Sequence, residues 1–149
     1  MSKESMVFCV VDGASRNNPG EAGCGVHIRD YPNGHLWKLT KYLGVATSNE
    51  AEYQGMILCL EKLVEIKAQD VVIYSDSLNL VNQLNGLFRV RAENLRPLCD
   101  ICRELMKKIP KVKIVHKYRE NTKLADKLAN IAINTRADSE ICYVVKVAA

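Results

Sequence analysis

Residues 6–12 read MVFCVVD and residues 13–23 read GASRNNPGEAG. The first stretch is an unbroken apolar run of β-branched and aromatic types, which predicts a central strand. The second is dense in turn formers and predicts a loop. Asp12 ends the strand, an ionisable side chain closing an otherwise apolar run. Residues 22–30 and 34–43 follow, separated around Tyr31, Pro32, Asn33 and Gly34, and read as a β-hairpin. Three antiparallel strands therefore open the chain.

Further along, the apolar period changes. Tyr53, Met56, Ile57, Leu60, Leu63 and Val64 recur at helical spacing within residues 50–66, with Glu61, Lys62 and Glu65 on the other side. Val71–Tyr74 form a short buried strand that ends at Asp76, and residues 77–85 a short helix closed by Gly86. Residues 95–109 predict a longer helix with a stripe of Leu98, Ile101, Cys102, Leu105 and Ile109, Pro97 falling in its first turn. Residues 111–118 alternate as a strand. Residues 123–134 predict a helix capped by Asn121 or Thr122. The tail 140–147 (EICYVVKV) is apolar and expected to pack against the body. The order is βββαβααβα plus a tail, an α/β chain with a mixed sheet covered by helices.

The 149 residues predict one domain, residues 1–149, with a core over about 6–134 and a C-terminal tail over 135–149. Hydrophobic residues make up 48% and charged residues 26%, globular proportions that argue against disorder. No apolar run reaches the ~20 residues of a membrane span. The start of the chain has no cleavage-site pattern, so no signal peptide is expected and the protein is expected to be soluble and cytoplasmic; it is also expected to be a monomer. Between Arg89 and Lys127 stand 12 basic and five acidic residues, a surplus suited either to a polyanion or to a solvated helix surface. The six cysteines lie mostly in apolar stretches and read as buried thiols. Cys99 and Cys102 have no second ligand pair at zinc spacing, and a Cys59–Cys142 bridge stays open.

Four acids sit where folding does not ask for them: Asp12 and Asp76 at strand ends, Glu52 and Asp126 in the first turns of helices. Each alone is explained by a helix dipole or a turn. Together they are different. If the first and fourth strands are neighbours, these carboxylates meet, repel, and call for a hard cation such as Mg²⁺ or Mn²⁺. Two such ions about 4 Å apart can activate water and stabilise a phosphodiester's leaving oxygen.

The strings DGASRNNPG, TSNEAEYQG, YSDS and RENTKLADKLAN occur in the order that marks type 1 ribonuclease H. Over residues 6–134 the chain resembles that family, most closely its compact archaeal and bacterial branch. The resemblance implies the ribonuclease H-like fold, with a five-stranded mixed sheet of three antiparallel strands plus two parallel ones. It implies an endoribonuclease that hydrolyses the RNA strand of RNA–DNA hybrids, leaving 5′-phosphate and 3′-hydroxyl ends. Asp12 would bridge two Mg²⁺ or Mn²⁺ ions. Glu52 and Asp76 would complete the one near the leaving oxygen, and Asp126 the one holding the nucleophilic water. Glu52 is preferred over Glu50 because it occupies the family's AEY position.

Arg119 takes the place of an arginine of the compact branch and is expected to contact phosphate or the transition state. Gly13, Ser15, Arg16, Asn17, Asn18, Thr47, Ser48, Asn49 and Ser77 are the expected substrate contacts, the loop residues among them reading the minor groove and 2′-hydroxyls. Asn17, Asn18, Pro19 and Gly20 are also good turn formers. Ser48 and Thr122 stand where relatives often carry asparagine, and the connection HKYRENTKLAD is too short for a His-bearing flexible loop. Three rivals keep parts of this pattern: a catalytically silent nucleic-acid-binding module, another nuclease of the superfamily, and a detached reverse-transcriptase domain. Loss of an acid would mark the first, and none is lost.

Overall fold

In the computed structural model, which describes residues 5–145, the first strand is β1 (Val7–Ser15), the center of a six-stranded sheet. The hairpin is β2 (Gly20–Asp30) and β3 (His35–Ala46). There follow α1 (Ser48–Glu65), β4 (Asp70–Ser75), α2 (Leu78–Leu84), α3 (Arg96–Met106), β5 (Lys111–His116), α4 (Lys123–Thr135) and β6 (Ser139–Val144). The order across the sheet is β5-β4-β1-β2-β3-β6. β5, β4 and β1 are parallel, and β2, β3 and β6 extend the sheet in antiparallel fashion.

The sixth strand corrects the expected count of five. β3 would otherwise be an open edge, and residues 139–144 pair along it from Thr40↔Ser139 to His35↔Val144. The apolar tail is thus an edge strand and not a cover over the core: Ile141, Tyr143 and Val144 are 46%, 47% and 79% exposed. Residues 146 and 147 of the expected tail lie outside the described residues. α3 also differs from its expected stripe. Cys99 and Cys102 are buried, whereas Ile101 is turned outward. All six cysteines are free, with Cys59 buried and Cys142 exposed, so no Cys59–Cys142 bridge exists.

Alternation along β2 explains how the two helical layers dock. Cys24 points to α1, its Cβ lying 3.3 Å from where a Cβ on Gly55 would stand. Gly23 and Gly25 point the other way, to α4; a Cβ on Gly25 would stand 2.3 Å from the Ala125 carbonyl oxygen. α1, α2 and α3 enclose one core with the first face, in which Val7, Cys9, Val11, Ile28, Tyr53 and Leu60 are essentially inaccessible. α4 covers part of the second face through Ala125, Ala129 and Ala132, small side chains that let helix and sheet approach closely. Among the described residues no helix is long and apolar enough to cross a membrane.

Candidate active site

β1 and β4 are parallel neighbours with Val10 paired to Tyr74, so both chains leave the sheet at the same edge. That register brings Asp12 beside Asp76. α1 starts at the same edge, held against β1 because Gly13 has no side chain: a Cβ there would lie 2.3 Å from the Ala51 carbonyl carbon. One carboxylate oxygen from each of Asp12, Glu52 and Asp76 lies within 4.8 Å of the other two.

Asp12 is 3% exposed, and its Oδ1 accepts a 2.9 Å hydrogen bond from the Gly13 N–H. Glu52 Oε2 is buried and accepts no hydrogen bond. Burial pushes the Asp12 carboxyl up to about 7; the charges of Asp76 and Asp126 add to this, while hydrogen bonds with Glu52 and Gly13 oppose it. Burial and then the Asp12 charge hold Glu52 well above the usual carboxylate range. Mutually repelling, desolvated carboxylates with one oxygen unpartnered form a donor set that suits a hard divalent cation.

Asp126 lies in the first turn of α4, half-buried and outside the tight group of three, although its charge reaches Asp12. Asn130, one turn later, donates to the Asp126 carbonyl at 3.0 Å and stands 3.5 Å from its Oδ1. Glu50 is engaged elsewhere. It closes a capping box on α1, with the Thr47 N–H donating to Glu50 Oε1 at 2.9 Å and the Glu50 N–H donating to Thr47 Oγ1 at 3.1 Å.

Arg119 is exposed in a single 3-10 turn, Arg119–Asn121. Behind it, fully buried Thr122 places its Oγ1 3.0 Å from the Arg119 carbonyl oxygen and 3.4 Å from Asp76 Oδ2. Thr122 is thus not the side-chain cap expected for α4; it links the Arg119 turn to an acid of the site. Sequence reasoning missed this link and that of Asn130. The signals available were the hydroxyl at the start of α4 and the i, i+4 spacing of Asp126 and Asn130.

The expected substrate contacts divide into two kinds. Several side chains hold the scaffold: Ser15 Oγ donates to the Ala46 carbonyl at 2.7 Å, Thr47 and Ser77 cap α1 and α2, and Asn18 Oδ1 accepts from the Ser48 N–H at 2.9 Å. Arg16 reaches across to Asn134 Oδ1 at 2.5 Å. Asn17 and Asn49 remain exposed, and Asn49 and Ser77 line a small cleft together with Glu52.

A mixed sheet with three acids gathered beside its central strands, and a helix on the opposite face bringing a fourth near them, defines a ribonuclease H-fold protein. A family model described as "Reverse transcriptase-like" matches residues 10–132. The crystal structure of RNase H1 from the archaeon Halobacterium salinarum superposes with a TM-score of 0.82 at 32% identity, covering 87% of this chain and 98% of that one. LC11-RNase H1, solved in complex with an RNA/DNA hybrid, superposes with a TM-score of 0.81 at 32% identity over the same shares. The bifunctional protein Rv2228c of Mycobacterium tuberculosis is 32% identical over 134 residues, 89% of this chain. The chain belongs to the type 1 ribonuclease H family. It spans 37% of the length of the mycobacterial relative and 64% of the ribonuclease HI of H. salinarum.

Proposed function

We propose that the protein is a metal-dependent endoribonuclease that hydrolyses the RNA strand of RNA–DNA hybrids and leaves 5′-phosphate and 3′-hydroxyl ends. The observation that carries this reading is the convergence of Asp12, Glu52 and Asp76 within 4.8 Å, with Glu52 Oε2 buried and unpartnered. Asp12, Glu52 and Asp76, with Asp126, would hold two Mg²⁺ or Mn²⁺ ions, which when bound supply an activated water and stabilise the charge on the leaving oxygen.

The chain's own groups do the rest. The Gly13 N–H fixes the orientation of the Asp12 carboxylate. Thr122 sets Asp76 against the turn that presents Arg119, whose guanidinium meets the scissile phosphate as a bidentate cation. Asn49 stands in one cleft with Glu52, and with the solvent-facing Arg16 and Asn17 it would contact the sugar edges of the hybrid. The likeness to LC11-RNase H1, solved with a hybrid bound, supports this choice of substrate.

The deciding assay is cleavage of a 5′-labelled RNA–DNA hybrid with Mg²⁺, Mn²⁺ or EDTA, for the parent and for Asp12→Asn. The expected result is cutting of the RNA strand with either ion, lost in EDTA and in the variant. An intact hybrid under every condition, despite measurable binding, would instead identify a silent binding module.

A further inference from the structure

Among the described residues, α4 covers only part of the second sheet face; beyond it two adjacent rows of paired residues cross all six strands, with Val72 and His27 buried and the other members half-buried or exposed. One passes through Phe8 and the other through Val10. The rows contribute three cations, Arg29, Lys38 and Lys113, and three aromatic rings, Phe8, Tyr74 and Tyr143. Aliphatic side chains and His27 fill the remaining positions, and no carboxylate occurs in either row. A fourth cation arrives from the β5 side: Lys117 Nζ stands 5.1 Å from the centroid of the Tyr74 ring. Between Phe8, Arg29, Tyr74 and Lys117 lies a groove of about 320 Å³.

Two of these cations act on His27. Burial, and then Arg29 and Lys38, hold the imidazole neutral with its pKa down at about 4. The groove also adjoins the acid site, since Val10 lies two residues before Asp12 and the groove ends at Asn121, beside Arg119.

We propose that this open sheet face binds single-stranded DNA. Aromatic rings interleaved with cations on a sheet give bases a surface to stack on and phosphates a partner, with little dependence on sequence. A duplex would hide its base faces from the rings. The two rows hold no Ser, Thr, Asn or Gln, the short polar side chains through which a 2′-hydroxyl would be read, and Asn121 stands only at the end of the groove, so the occupant assigned to the face is DNA.

The test is fluorescence anisotropy of labelled dT15 with the full chain in EDTA, across a salt series. Comparison is made with Arg29→Ala/Lys113→Ala, whose side chains are exposed and outside the core, and with Tyr74→Leu, which keeps an apolar side chain and removes the ring. The parent should bind dT15, and so should Asp12→Asn. The double variant should weaken binding and flatten the salt slope by about 1.4, the value for two phosphate contacts on a single strand. Tyr74→Leu should lose about tenfold or more in affinity. Affinity for a blunt RNA–DNA hybrid should be unchanged in both, which separates this face from the acid site. Cleavage of that blunt hybrid reports on the nuclease reading independently. Absence of dT15 binding, equal binding by all variants, a preference for U15 above tenfold, or dimerisation of the parent that these variants abolish would each overturn the proposal.

Discussion

Asp12 keeps its proton to about 7 in the folded chain, against an ordinary value of 3.8. The folded state therefore binds more protons than the unfolded one between those limits, and stability falls as pH rises through them. In EDTA, Asp12→Asn should be more stable than the parent at pH 8, by on the order of 1–3 kcal/mol and with a higher melting temperature, and converge with it near pH 4. Equal melting temperatures at pH 8 would show that the acids do not strain the fold. Mg²⁺ or Mn²⁺ should raise the melting temperature of the parent and not that of the variant. Glu50 and Glu52 separate at the same scale. Two residues apart on a helix, they point about 200° apart, one to the cap and one to the acids. Glu50→Ala should cost about 1 kcal/mol and leave cleavage intact, whereas Glu52→Gln should abolish cleavage in a protein that still folds. Loss of cleavage in Glu50→Ala at full folding would reverse the two roles. The capping half of this distinction was legible in the string Thr47-x-x-Glu50, whereas the position of Glu52 beside two other acids needed the packing of α1 against Gly13.

Helix and strand positions were legible because their apolar patterns are clean, a helical period in α1 and an unbroken apolar run in β1. The partner of the last apolar segment was not. Nothing in EICYVVKV says whether it covers a core or extends an edge, and the answer depended on β3 having an unpaired side. Its contribution comes through the ladder and through Lys62, which is 6% exposed, pairs with Glu140 at 2.7 Å and also with Glu65, and lies 4.4 Å from the centroid of the Trp37 ring. Truncation after Asp138 should lower the melting temperature by several degrees, since it bares the β3 edge and removes one carboxylate from a buried ammonium. An unchanged melting curve would mean that β6 adds nothing to the fold. α4 depends on a different device, contact with two glycines. Gly25→Ala places a methyl 2.3 Å from a carbonyl oxygen and should cost about 3 kcal/mol in urea unfolding.

Across the whole molecule, the basic residues between Arg89 and Lys127, apart from Lys113 and Lys117 on the sheet face, reach substrate only if the hybrid lies along that half. Contact with about five phosphates would give a slope near −4.5 for log affinity against log salt. Anisotropy of a hybrid in EDTA between 50 and 200 mM salt reads it, and a slope near zero would place those charges off the path. Charge totals revealed the surplus, but the open aromatic and basic face became visible only once six strands were in register. The pairing of the third strand with the sixth also sets a schedule. During synthesis, residues 35–46 emerge with one side of their backbone unpaired, and it stays so until residues 139–144 have left the ribosome. For that interval the nascent chain carries a strand-adding edge, so its exposure to misassembly is governed by translation speed over its later two thirds.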